Sequence, residues 1–231
     1  MKYAIIDFRT SIEEKENLIK LGAEIIICPP CRELYGEVCG HPDMLLHFID
    51  KHTAVVHRNI DKSFIKKLEN IGIDVLLSEC KLTDRYPEDI ILNALDLPEL
   101  FVHNLKYTDH VLLNNIKNKK LINVNQGYTK CSSAIIGKNA VVTSDTGIYT
   151  ALLEENVNLL QIPYGDILLP NFDYGFIGGC CGSFDDCVVF FGDLSYYSYG
   201  EKMLAFLKKH NMKPVFLRKG KLIDRGSIFF I

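Results

Sequence analysis

Gly127-Tyr128-Thr129-Lys130-Cys131-Ser132-Ser133-Ala134-Ile135-Ile136-Gly137-Lys138-Asn139-Ala140-Val141-Val142-Thr143-Ser144-Asp145 is the stretch that decides the fold. Two apolar runs, 132–136 and 140–144, flank Gly137-Lys138-Asn139. Gly and Asn accept positive φ at little cost, so these three residues are turn material and the stretch predicts a β-hairpin. A helix is predicted to open near Thr146 and to end by Asn156, and the apolar run 157–162 predicts a strand after it. The unit is strand, strand, helix, strand.

Working outward, the same unit recurs. Ser11-Ile12-Glu13-Glu14 is a capping box opening a helix that stops at Gly22. Asp61 opens another, with Phe64, Ile65, Leu68 and Ile71 at helical spacing and Gly72 as its stop. Thr108 or Asp109 opens a third, and Ser198-Tyr199-Gly200-Glu201 is a capping box for a last one carrying Leu204 and Leu207. Apolar strands are predicted after the helices at 23–28, 73–78, 121–125, 157–162 and 213–218. Candidate hairpins lie between these pairs: 44–49 with 53–57, 90–95 with 99–103, 132–136 with 140–144, and 180–184 with 187–191. A fifth is split across the termini, 227–231 beside 3–7, which accounts for an apolar C-terminal Ser-Ile-Phe-Phe-Ile. Five repeats mark a ring-like architecture in one domain spanning residues 1–231. A doubly wound parallel sheet is the competitor, but Phe8-Arg9-Thr10 stands where its glycine-rich phosphate loop belongs.

Composition bounds the function. Apolar residues make up 48% and charged residues 24%, enough for a full core. A net charge of −3 excludes a generally basic, nucleic-acid-binding surface. No apolar run is long enough to span a membrane and none near the N-terminus makes a signal-peptide core, so a cytoplasmic protein is expected. Eight cysteines without a secretion signal read as free thiols. Cys28, Cys31, Cys39 and His41 form a C-x2-C followed by a C-x-H, which has the composition of a zinc site, although Pro29-Pro30 is an awkward knuckle for one. No cofactor or bound metal is expected, the partner is a small molecule, and the oligomeric state is left open.

With Gly127-Tyr128-Thr129-Lys130-Cys131-Ser132, Thr143-Ser144-Asp145, Tyr174-Gly175-Phe176-Ile177-Gly178-Gly179 and Asp224-Arg225-Gly226-Ser227-Ile228, the chain resembles a bacterial branch of the pentein fold, the α/β-propeller of guanidino-group-modifying enzymes. The resemblance covers the whole chain. It implies a cavity on a pseudo-fivefold axis, lined from the hairpin starts, and a chemistry of C–N hydrolysis or amidino transfer. Those enzymes use a nucleophilic Cys in the last unit and a His acid/base. Here Phe230 stands about where that Cys falls, and residues 178–187 contain no His.

The hairpin starts supply the candidates. Asp43, Asp89 and Asp224 suit a cation through charge-assisted hydrogen bonds. Lys130, Gly178, Gly179 and Ser227 complete the expected ligand-binding set, the glycines letting backbone approach closely. Cys131 is the candidate nucleophile, because a neighbouring ammonium favours thiolate; the plain alternative is a packed thiol, since strand neighbours point to opposite faces. His41 is the candidate acid/base, sharing a face with Asp43 if the segment is extended, or it belongs to a Gly-His-Pro-Asp turn. A non-catalytic ligand- or protein-binding module is the alternative function. Tyr196, Tyr197 and Tyr199 are read as mouth or interface residues.

Overall fold

The computed structural model describes residues 2–231. The first strand, β1 (Lys2–Asp7), leads through α1 (Ile12–Lys20) to the parallel β2 (Ala23–Cys28). A short α2 (Pro42–Leu45) then introduces β3 (Leu46–Phe48), β4 (Thr53–Val56), α3 (Lys62–Asn70) and β5 (Asp74–Leu77). The third unit is β6 (Leu95–Asp96), β7 (Leu100–His103), α4 (His110–Asn115) and β8 (Lys120–Asn123). The fourth is β9 (Ser133–Ile136), β10 (Ala140–Thr143), α5 (Thr146–Leu152) and β11 (Asn158–Gln161). The last is β12 (Cys181–Phe184), β13 (Cys187–Phe190), α6 (Gly200–Lys209) and β14 (Lys213–Phe216), followed by β15 (Phe229–Phe230).

Among the described residues these strands form five three-stranded sheets, each an antiparallel pair with one parallel strand added; the pair is a hairpin in four of them and joins the two terminal strands in the other. The pattern has a simple cause: a two- to four-residue turn reverses the chain, whereas the helix that follows carries it back to start a parallel strand. In the opening stretch Ile136 pairs with Ala140, so residues 137–139 are the turn, and Gly137 adopts φ +64° there. The terminal hairpin forms as predicted, with Ala4 opposite Phe230 and Ile5 opposite Phe229.

Helix signals were mostly realised. Ser11 and Glu14 exchange both hydrogen bonds of the capping box, and Asp61, Asp109 and Asp145 each accept from helix N–H groups. Ser198 does not cap α6, because its N–H and hydroxyl both donate to Asp166 Oδ2, at 2.8 and 2.7 Å. The predicted strand at 90–95 is also corrected. Only Leu95–Asp96 pairs, since residues 90–94 form turns, with Asn93 N–H donating to Ile90 O at 2.8 Å.

The helices pack against the sheets. Leu18 of α1 is fully buried with Ile6, Val189, Phe191 and Leu217, which joins the first sheet to the last. A side chain buried so completely contributes about 1.5–3 kcal/mol. Among the described residues no helix is long and apolar enough to cross a membrane.

Candidate functional site

The hairpin starts meet through hydrogen bonds that pass from unit to unit. Asn93 Nδ2 donates to Asp43 O at 3.1 Å, and Lys130 N–H to Asn93 O at 3.2 Å. Gly178 N–H donates to Cys131 O at 2.8 Å, Ser227 N–H to Gly179 O at 2.8 Å, and Asp43 N–H to Gly226 O at 3.1 Å. The resemblance implied such a convergence, which the sequence by itself left open, and its hub was missed. Asn93 Oδ1 accepts from the N–H groups of Lys130 and Cys131 at 3.0 and 3.1 Å, while Nδ2 also reaches Cys131 Sγ at 2.9 Å. A fully buried amide amid Ile90-Ile91-Leu92 and Ala94-Leu95 was the available signal, because a lone polar side chain in an apolar run must find partners.

Asp43 lies in the first turn of α2 and is buried. Its Oδ2 accepts from Ser227 Oγ at 2.7 Å and from Cys131 Sγ at 3.2 Å. Ser227 holds φ +71°, an uncommon conformation for a residue other than glycine, and accepts from Lys130 Nζ at 2.8 Å. Burial raises the Asp43 pKa despite the opposing charge of Lys130. Burial, reinforced by Asp43 and Asp224, pushes the Cys131 thiol well above its ordinary value. Its protonated sulfur is a hydrogen-bond donor inside a packed network.

On one side of this network lies a cavity of about 270 Å³ whose lining includes His41, Cys131 and Asp224. Both Asp224 oxygens are occupied by backbone: Oδ2 by Phe176 N–H at 2.8 Å and Oδ1 by Gly226 N–H at 3.0 Å. His41 Nδ1 stands 3.8 Å from Asp224 Oδ1, and Nε2 has no partner among the described residues. Burial lowers the His41 pKa, so the ring is neutral. His41 therefore faces Asp224 and not Asp43, because the helix beginning at Pro42 ends the extended geometry that would align the two.

Five aromatic residues, Tyr35, Tyr128, Phe172, Tyr174 and Phe176, line the cavity too, together with Val38, Met44, Leu169 and Asp173. Tyr128 follows Gly127 in the opening stretch; the other rings come from irregular segments at 29–41 and 163–177, the kind of connection that commonly carries binding residues. Tyr128 gives its phenolic proton to Asp89 Oδ2, which places Asp89 behind the wall. Lys130 lines a second cavity, about 240 Å³, with His47, Asp96, Phe229 and Phe230. Gly178 and Gly179 lie close against protein atoms: a Cβ on Gly179 would overlap the Asp224 carboxylate, and one on Gly178 the Lys130 carbonyl. Of the nine candidates, three thus line the first cavity and one the second, while Asp43 and Ser227 link them.

The four zinc candidates separate. Cys39 Sγ bonds Gly36 O at 3.2 Å, His41 faces Asp224, and Cys28 is buried in the core. Cys31 joins Glu33 and His57 instead, with their ligand-type atoms within 4.8 Å of one another. Leu82 N–H donates to His57 Nε2 at 3.2 Å, so the neutral ring keeps its proton on Nδ1, 3.6 Å from Cys31 Sγ. A metal there needs that nitrogen's lone pair, and the tautomer withholds it.

Solved structures show the fold. A cysteine-to-serine variant of dimethylarginine dimethylaminohydrolase from Pseudomonas aeruginosa, complexed with citrulline, matches with a TM-score of 0.54 at 9% identity, covering 93% of this chain and 91% of that one. A histidine-to-glycine variant of dimethylarginine dimethylaminohydrolase, as an adduct with S-methyl-L-thiocitrulline, gives 0.55 at 10% identity with the same coverage. An adduct with 4-chloro-2-hydroxymethylpyridine gives 0.53 at 9% identity, again covering 93% and 91%. The chain has the pentein fold that the repeat implied. It belongs to the Family of unknown function (DUF6873), which it matches over residues 5–229. No curated protein matches it.

Proposed function

We propose that this chain is a small-molecule-binding pentein, a single unit over residues 1–231 whose five sheets close about one axis, and that it holds a small cationic or amide-bearing metabolite in the cavity lined by His41, Cys131 and Asp224. The observation that carries the reading is the pairing of a buried carboxylate with an aromatic wall: among the described residues, Asp224 has no lysine or arginine within ion-pair distance. A bound cation supplies that missing charge. Asp89 supports the wall through Tyr128, and Asp43, Lys130 and Ser227 fix the partition. Binding without catalysis is favoured over thiol hydrolysis because Cys131 is held protonated and Phe230 faces the other cavity.

The rival is a C–N hydrolase of non-standard mechanism, with Cys131 as nucleophile and His41 as acid/base. Its support is the position of both side chains on the same cavity and the similarity to dimethylarginine dimethylaminohydrolase structures. Calorimetric titration with small cations (agmatine, putrescine and choline), glutamate and glycerol tests the first reading, which expects binding confined to cations. Binding of glutamate or glycerol in preference to every cation sinks it. Citrulline formed from dimethylarginine by the wild type and not by Cys131→Ser replaces it with the hydrolase.

A further inference from the structure

The identity of the cation follows from what the cavity lacks. A guanidinium is planar and is best held by a carboxylate offering both oxygens side by side. Both oxygens of Asp224 already accept backbone N–H groups. Asp89 has one oxygen on Tyr128 and sits behind it, and Asp43 faces Ser227 and Cys131 inside the partition. Of these three buried carboxylates only Asp224 lines the cavity, and both of its oxygens already carry a backbone N–H. The one further carboxylate on the lining, Asp173, is exposed at the rim.

What the lining offers in abundance is aromatic rings. Tyr128 and Phe176 stack with centroids 6.1 Å apart and planes 29° from parallel. Tyr174 stands at 84° to Phe176, also at 6.1 Å, which turns the wall through nearly a right angle. Tyr35 and Phe172, 5.5 Å apart, form a separate pair on the same cavity. Tyr128 donates its hydroxyl proton to a carboxylate, and so does Tyr164, which backs Tyr174 at 5.4 Å through its bond to Asp145 Oδ2 at 3.0 Å. A phenol donating to a carboxylate becomes richer in electron density, and the face of such a ring attracts a cation more strongly.

We propose that this pocket is an aromatic cage for an alkylated ammonium group, a quaternary ammonium head with no N–H to donate, and that guanidinium compounds are not its preferred ligands. The assignment rests on the cation-binding reading above and narrows it. A quaternary ammonium needs no hydrogen-bond acceptor, is attracted to ring faces within about 6 Å, and fills a small enclosed volume with methyl groups. The satisfied carboxylate of Asp224 then contributes charge without directional bonding. A ligand with its own carboxylate is repelled by Asp224 and Asp173, so choline is favoured over glycine betaine.

The test is isothermal calorimetry on the full chain with five probes: choline, tetramethylammonium, 3,3-dimethylbutan-1-ol (the uncharged carbon isostere of choline), glycine betaine and agmatine. Choline and tetramethylammonium are expected to bind, with the isostere, betaine and agmatine each at least tenfold weaker. Phe172→Leu, which alters an exposed loop residue, is expected to weaken choline binding three- to tenfold without changing the melting temperature. Agmatine binding as tightly as choline overturns the cage and leaves the cation-binding reading intact. Equal affinity for choline and its uncharged isostere overturns both, as does the absence of binding by every cation. Unchanged choline affinity in Phe172→Leu, together with Phe176→Leu at an intact melting temperature, places the ligand elsewhere and overturns the cage.

Discussion

The state of a single sulfur separates the two functional readings. Cys131 accepts a hydrogen bond from Asn93 and donates one to Asp43, and both burial and the neighbouring carboxylates oppose its ionisation. A thiolate nucleophile needs the reverse environment: partial exposure and nearby positive charge. Lys130 is adjacent in sequence, yet its ammonium goes to Ser227 and lines the other cavity. Native alkylation by iodoacetamide at pH 8, mapped by mass spectrometry, is therefore expected to label the half-buried Cys39, Cys80 and Cys187 first. Cys131 is expected to react only after unfolding. Rapid labelling of Cys131 below pH 8 would overturn this and restore the hydrolase as the leading account.

At the level of elements, local chemistry and tertiary partners decide which caps form. Ser11 and Glu14 close their capping box because both sit beside the helix they start, Glu14 N–H to Ser11 Oγ at 3.3 Å and Ser11 N–H to Glu14 Oε2 at 2.9 Å. Ser198 has the same sequence signature but is drawn to Asp166, 32 positions away, so Tyr199 stands at the N-cap with no side-chain bond. Ser11→Ala is expected to lower the unfolding free energy by about 1 kcal/mol, the ordinary cost of losing such a cap. Urea denaturation reads the change, and an effect within error would mean that α1 is held by Leu18 alone. Strand pairing follows the same division. The hairpin at 132–144 is set by its own turn, whereas the expected strand at 90–95 yields to Asn93, whose side chain serves three units at once.

At the scale of the whole molecule, His41, His57 and His103 are buried as neutral rings. Burial lowers the pKa of His41, of His57 and of His103, the last to about 3. His103 is fixed by Thr108 Oγ1 at 2.7 Å and the Gly127 carbonyl at 3.0 Å, which ties the third unit to the opening stretch. In the unfolded chain such a ring takes up a proton near pH 6.5, while in the native state it does so only near pH 3. The unfolded state then binds more protons between those values. Stability from this group is complete above pH 6.5 and is lost as the pH falls toward about 3. His103→Gln keeps one donor and one acceptor and removes the titration. Its stability relative to wild type is expected to improve steadily from pH 6.5 to pH 4 in urea melts; a constant difference over that range would show that His103 does not contribute to acid unfolding.

Much of this molecule is written locally. Hairpin turns such as Gly137-Lys138-Asn139, helix starts at Ser11, Asp61, Asp109 and Asp145, and alternating apolar runs are short-range signals, so the five units and the pairing of the two terminal strands were legible without coordinates. Among the site residues, Cys131, His41 and Asp224 were legible as hairpin-start side chains, and they do share one cavity. Their roles were not. Whether Asp43 meets His41 or Ser227, whether Lys130 turns toward Cys131 or away, and whether glycines face a ligand or a carboxylate depend on contacts between residues 45 to 184 positions apart, which no local pattern encodes. The aromatic wall came from loops without periodicity, and its chemistry exists only where the tertiary structure brings those rings to the same cavity as Asp224.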